Sequence, residues 1–329
     1  MRVIALEEHF AAPGISKATA EGEWAARVRE LGDRGLRLGT QVIDRLADLD
    51  EGRLAAMDAA AIDLQVLSQT QPGVESLPAG AAVPLAREAN DFLADAIARH
   101  PDRYSGFAVL PTPAPQAAAD ELDRAVTKLG LKGALINGRT GGSFLDDRSF
   151  WPIFERAERL GVPIYLHPGL PPAAIREACY EGLPPAAGHW LSIAAWGWHV
   201  DTGLHALRLI AAGVFDRFPK LQVIIGHMGE ALPFMLERTN STLSKRATGL
   251  EREVKEYFRE NFYVTTSGFF SYPPLQCLLA VADVDRVMFA VDYPYSSNDE
   301  GRIFLDGLPV GAADKEKIAH SNAERLLGV

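Results

Sequence analysis

Short apolar runs rich in β-branched residues recur along the chain, separated by longer stretches with helical spacing of apolar positions. This alternation predicts parallel βα units. The runs begin near Val3 (VIALEEH), Leu64 (LQVLSQ), Tyr104 (YSGFAVL), Gly133 (GALING), Pro163 (PIYLHP), Gln222 (QVIIGH), Phe262 (FYVTTSG) and Arg286 (RVMFAVD). Helices are predicted over 52–61, 86–100, 117–130, 149–160, 202–215, 231–246, 275–282 and 314–327. In the second of these, Ala89, Phe92, Leu93, Ala96 and Ile97 fall on one face; Leu122, Ala125, Val126 and Leu129 do the same in the third. A strand followed by a helix, repeated eight times, predicts an α/β chain folded as one (β/α)8 TIM barrel over 1–329.

Two units are much longer than a bare βα repeat, because 11–50 follow the first run and 169–200 follow the fifth. Insertions after a barrel strand lie on the C-terminal face, so both are expected to act as lids over a site. The second carries Trp190, Trp196 and Trp198 with His189 and His199, a composition suited to walling an aromatic pocket.

Composition narrows the partners. With 329 residues, 47% of them hydrophobic and 23% charged, the chain has the make-up of a soluble globular protein. Its net charge of −10 argues against nucleic acid and anionic membranes, which call for a basic face. The only cysteines, Cys179 and Cys277, are too far apart in sequence for a thiolate metal motif, and no disulfide framework can be built from them. The apolar run after Arg2 stops at Glu7 and Glu8, which leaves no secretory signal, and a reducing cytoplasm is the expected location.

Ionisable residues gather where the strands end. Glu7 and His9 are two apart on the first strand and are expected to share a face, with Glu8 on the other. His167 ends the fifth strand, His227 the sixth and Asp292 the eighth. Such groups converging on a barrel mouth without a compensating ion would be strongly unfavourable, so together they predict a metal site. Two imidazoles and two carboxylates with no thiolate suit Zn²⁺ or Mn²⁺, and the carboxylates lean the choice toward Mn²⁺ or Mg²⁺. His100 and His320 read as structural, whereas His189, His199 and His205 are weaker candidates for substrate contact.

On these residues the chain resembles the amidohydrolase superfamily, in particular its aromatic-acid decarboxylases acting on γ-resorcylate, 2,3-dihydroxybenzoate and 5-carboxyvanillate. The carriers are Leu6-Glu7-Glu8-His9-Phe10, Arg53-Leu54-Ala55-Ala56-Met57-Asp58, Pro101-Asp102-Arg103-Tyr104, Tyr165-Leu166-His167-Pro168, Ile225-Gly226-His227-Met228-Gly229-Glu230 and Asp292-Tyr293-Pro294, in this order along the chain. The resemblance implies one divalent ion held by Glu7, His9, His167 and Asp292, with His227 and Glu230 as a polar pair beside it and Arg238 reaching the substrate carboxylate. It also implies a homodimer or homotetramer and no organic cofactor. The superfamily's hydrolases usually present His-x-His on the first strand, and the pair here, Glu7-x-His9, is similar to the decarboxylases. The added negative charge makes the ion a poorer activator of water, which fits a reaction needing no hydroxide.

The expected activity is therefore metal-dependent, reversible decarboxylation of an ortho-hydroxybenzoate, a small aromatic carboxylic acid. Asp292 is expected to protonate the ring carbon bearing the carboxylate, which needs its pKa raised, as burial beside Glu7 favours and the cation opposes, and His227 with Glu230 to orient a ring hydroxyl or the proton path. The alternative is a metal-dependent hydrolase of a lactone or amide, in which Asp292 would act as general base toward water.

Overall fold

Strand residues of the series are buried on both faces, which is why they read as near-continuous apolar runs. The computed structural model describes residues 1–33 and 40–329. Its strands are β1 (Ile4–Phe10), β2 (Leu64–Gln69), β3 (Tyr104–Gly106), β4 (Ala108–Val109), β5 (Ala134–Asn137), β6 (Ile164–His167), β7 (Val223–Ile225), β8 (Phe262–Thr265) and β9 (Val287–Met288). All pair in parallel, β1 to β3 in one sheet and β4 to β9 in another.

The expected third strand is thus divided at Phe107. Its N–H still donates to Leu67 O on β2 (2.9 Å), while the next residue, Ala108, donates to Gly133 O beside β5 (2.8 Å). The chain changes neighbours there, and both sheets continue through it. At the other side Leu6 pairs in parallel with Ala290, returning the last strand to the first. The result is a (β/α)8 barrel.

Two apolar layers hold it. Inside, Ile4, Leu6, Val66, Phe107, Leu135, Tyr165, Ile224, Tyr263 and Met288 come from successive strands and fill the barrel, with Ala323 and Leu327 of the last helix closing one end. Outside, the other strand faces meet the helices, for example Ala89, Leu93 and Ala96 of the helix Ala79–Arg99 and Leu122 and Ala125 of Pro115–Leu129.

Helices occupy the predicted stretches with shifted ends. The second begins at Ala79 rather than 86, and the expected 231–246 is divided into Leu232–Thr242 and Lys245–Thr248. Val254–Asn261 and Asn298–Asp306 were not predicted; the first shows only a narrow apolar stripe of Val254, Tyr257 and Phe258 among charged residues. The first insertion contains helices Pro13–Thr19, Glu23–Asp33 and Thr40–Ala47, and the second Ala173–Tyr180 and Pro185–Ser192. Residues 34–39 of the first expected lid lie outside the described residues.

Candidate metal centre and active site

Glu7 reaches the barrel mouth through a break in the regular strand. The register of β1 on β2 shifts between Ala5 and Glu8, and Glu7 has φ 62°. Simple alternation is therefore not what brings Glu7 and His9 together; the bulge re-aims Glu7. Glu8 turns away, its carboxylate accepting from the N–H groups of Val291 (2.8 Å) and Tyr293 (3.1 Å). Burial pushes the Glu8 carboxyl up to about 8.

One oxygen of Glu7 is fully engaged. Oε2 accepts from the hydroxyls of Tyr165, Ser267 and Thr265, whereas buried Oε1 has no hydrogen-bond partner. A side chain at Gly226 would collide with this carboxylate, since a Cβ there would lie 2.6 Å from Oε2. The imidazoles are arranged the same way. Register sets His9 opposite Ser68 and His167 opposite Asn137. Ser68 Oγ is 3.2 Å from His9 Nδ1, and Asn137 Oδ1 is 2.9 Å from His167 Nδ1.

The remaining atoms converge. His167 Nε2 is 3.3 Å from Glu7 Oε1, and His9 Nε2, buried and without a hydrogen bond, is 3.2 Å from Asp292 Oδ1. One ligand atom from each of Glu7, His9, His167 and Asp292 lies within 4.8 Å of the others. An unpartnered buried carboxylate oxygen of Glu7 and an unpartnered buried nitrogen of His9, with His167 Nε2 beside them, are what a divalent cation would satisfy, and the outer contacts fix which atoms point inward. The four residues fit such an ion.

His227 and Glu230 stand next to this group in a turn of left-handed backbone. Glu7, His227, Met228, Glu230, Ala231 and Asp292 account for six of the seven non-glycine residues with positive φ among the described residues. Concentration of that cost at one place marks a site held by its surroundings. His227 Nδ1 donates to Glu230 Oε1 (2.8 Å), and its Nε2 is 3.5 Å from Glu7 Oε1 and 3.9 Å from Asp292 Oδ2.

The other oxygen of Glu230 meets His199 Nδ1 at 2.7 Å, while His199 Nε2 is 2.8 Å from the carbonyl of Ala194. A carbonyl can only accept, so Nε2 carries a proton. His199, a weaker candidate in the sequence, is thus wired to the site through Glu230.

Electrostatics sort the protons. Burial alone would raise the Glu7 carboxyl, but His227, His167 and His9 outweigh it and hold it well below the usual range. Burial would likewise raise Asp292, yet the neighbouring His227 and His9 bring it below its ordinary value. Burial disfavours charge on His227, but Glu7 and Glu230 drive it well above the ordinary imidazole value. The expected raised Asp292 is therefore corrected: its neighbours His227 and His9 hold its carboxyl down, and it is His227 whose pKa is raised. His9 is pulled below its usual value by burial, which keeps its ring neutral and ready to ligate.

A cavity of about 310 Å³ opens on these groups, at the small end of the ~300–1,000 Å³ range of ligand pockets. Its wall includes His167, His199, His227 and Asp292, with Trp24 and Val42 from the first insertion and Trp190, Ile193 and Trp198 from the second insertion. Both expected lids contribute. Trp196 instead faces solvent, 52% exposed. His189 is buried against Trp190 outside the cavity wall, and His205 accepts from Leu145 N (2.9 Å) with burial pushing its pKa down to about 3. Arg238 lies on the exposed side of Leu232–Thr242 near Phe234 and Met235, and it is not among the cavity-lining residues of the single chain.

Comparison with known proteins places this geometry. The sequence model of the family described as Amidohydrolase matches residues 39–329. The chain belongs to the amidohydrolase family. This amidohydrolase is 41% identical to Decarboxylase orsB of Emericella nidulans, over 99% of this chain and 97% of the relative. It is 39% identical to the gamma-resorcylate decarboxylase of Rhodococcus jostii, over 98% and 97%. The crystal structure of dihydroxybenzoic acid decarboxylase from Polaromonas sp. JS666, with bound manganese and the inhibitor 2-nitroresorcinol, is similar with a TM-score of 0.88 and 34% identity, covering 99% of this chain and 97% of that one.

Sequence reasoning missed the outer layer of this amidohydrolase's site: Ser68, Asn137, Tyr165, Thr265 and Ser267. Tyr165 had a readable signal, since it precedes His167 by two on the same strand and so shares its face. Asn137 had one too, ending β5 as His167 ends β6.

Proposed function

We propose that this amidohydrolase is a metal-dependent carboxy-lyase that removes the carboxyl group of an ortho-hydroxybenzoate. The observation that carries the reading is the pairing of Glu7, rather than a second first-strand histidine, with His9 in the ligand cluster, beside a proton-holding His227–Glu230 pair. Relatives named as decarboxylases, one of them of gamma-resorcylate, are similar over nearly the whole chain and support it. Glu7, His9, His167 and Asp292 would hold the ion. When bound, a divalent ion such as Mn²⁺ would supply positive charge that draws an anionic substrate and offsets charge developing on its ring.

The chain's own residues supply the proton. Asp292 takes the proton from His227, whose charge Glu230 sustains, and passes it to the ring carbon bearing the carboxylate. As the C–H bond forms, the bond to the carboxylate breaks, its electron pair returns to the ring, and carbon dioxide leaves. Trp24, Val42, Trp190, Ile193 and Phe269 give an apolar wall for an aromatic ring.

The reading keeps a homodimer or homotetramer, for which the exposed side chains of Phe234 and Met235 beside Arg238 offer a contact face, and a cytoplasmic location. No described helix is long and apolar enough to cross a membrane. Incubation with 2,6-dihydroxybenzoate and, separately, a lactone and amide panel tests the proposal. Loss of the acid with release of resorcinol supports it; turnover confined to the lactones or amides sinks it.

A further inference from the structure

Asp292 stands on left-handed backbone, φ 70°, which is uncommon for a residue with a side chain. The amides of the residues on either side of it donate to one carboxylate. Val291 N–H reaches Glu8 Oε1 at 2.8 Å, and Tyr293 N–H reaches Glu8 Oε2 at 3.1 Å. The next residue of β1 completes the hold, since His9 N–H donates to Tyr293 O at 2.7 Å. One short stretch of β1 therefore supplies two members of the ion cluster, Glu7 and His9, and fastens the backbone that carries a third.

Glu8 is itself held from behind. Arg53 and Gln65 are fully buried, as Glu8 is, and none of the three lines the site cavity. Arg53 donates through Nη2 to His9 O at 2.5 Å and through Nη1 to Gln65 Oε1 at 3.2 Å, which leaves the Gln65 amide nitrogen facing Glu8 Oε2 at 3.5 Å. A carboxylate suits this place because it accepts on both oxygens at once. An amide there would turn its NH₂ group toward one of the two backbone N–H groups and leave a buried donor without a partner.

We infer that Glu8 is a positioning residue for Asp292: by gripping the backbone on both sides, its carboxylate aims one Asp292 oxygen at the ion cluster and the other toward His227. The aimed atoms are Oδ1, 3.2 Å from His9 Nε2, and Oδ2, 3.9 Å from His227 Nε2. Glu8 touches neither ion nor substrate and acts through the turn. Its effect on metal binding needs no substrate, whereas its effect on proton delivery rests on the proposed decarboxylase reading. Reacting groups misplaced by about 1 Å lose on the order of 10²-fold in rate, so a loosened turn costs kcat before it costs substrate binding.

The test is a double-mutant cycle read as Mn²⁺ affinity, by calorimetry on the full-length stripped protein without substrate. Glu8→Gln should weaken Mn²⁺ binding by about 10-fold, and the same change made on Asp292→Ala should cost less than about 2-fold, because no ligand remains there to position. At saturating Mn²⁺, Glu8→Gln should lower kcat on 2,6-dihydroxybenzoate by about 10- to 100-fold with KM little changed. Unchanged Mn²⁺ affinity in Glu8→Gln overturns the proposal. So do equal losses in the two backgrounds, since a general loosening of β1 would act through Glu7 and His9 whether or not Asp292 is present. Should Glu8→Gln fail to fold, Gln65→Met, which strips the donor behind Oε2, enters the same cycle, with a smaller loss expected only where Asp292 is intact. Carbon dioxide release by the unmodified protein is scored separately: its absence counts against the decarboxylase reading and leaves the positioning role, read from Mn²⁺ affinity, standing.

Discussion

His199 holds the oxygen of Glu230 that His227 leaves free, at 2.7 Å, and so joins a residue of the second insertion to the His227–Glu230 pair. His199→Phe removes that contact without touching the ion cluster. It should lower kcat by about 10-fold or more, change KM little, retain the metal and alter the pH profile, with His199→Gln less affected. Steady-state kinetics over a pH series check this; an unaltered profile would end the chain of protons at Glu230.

Removing an inward ligand should act differently. His167→Ala should lose bound metal and activity together, with the unmodified chain holding about one divalent ion. Elemental analysis after dialysis measures it, and a fully active metal-free preparation would contradict the assignment. Tyr165→Phe, which strips one donor from Glu7 Oε2, should keep the site but weaken metal affinity by about 10- to 100-fold.

Asp292→Asn keeps a ligand oxygen and removes the transferable proton. Partial metal binding should persist while decarboxylation falls by about 10²- to 10⁴-fold, together with exchange of the product's ring hydrogen in deuterated water. Near-normal exchange would move proton delivery to His227 itself.

The ion-free protein should also show a characteristic pH response. His227 has a folded pKa well above 6.5, so its contribution is fully present below about 6.5 and is lost as pH rises through the folded value. Glu7 and Asp292 are shifted down, so their contributions are present above 4.5 and 3.8 and fade as pH falls through their folded values. Melting temperatures of the stripped protein should therefore decline on the alkaline side, and His227→Asn should flatten that decline.

Much of this arrangement is written in the strand ends. Glu7, His9, His167, His227 and Asp292 are legible because apolar runs that terminate in ionisable residues place charge at one rim of a barrel. The backbone that aims them is not legible: nothing in Leu6-Glu7-Glu8 announces a bulge at Glu7, because its cause is pairing with β2 sixty residues away. Ser68 and Asn137 depend on register between strands, and Thr265 and Ser267 on a hydroxyl network that converges only after the barrel closes. Arg238 shows the limit of spacing. Eleven residues after His227 it falls on a helix face that spacing alone could not orient, and that face points to solvent in the single chain.

The central claim is ion-dependent replacement of a ring carboxylate by a proton, and the reaction in deuterated water measures it directly. Stripped protein given Mn²⁺ and 2,6-dihydroxybenzoate should release carbon dioxide and resorcinol in equal amounts, with solvent deuterium on the carbon that bore the carboxylate, and the stripped protein alone should release neither. Carbon dioxide release undiminished without the ion, or no release with it, would contradict the account.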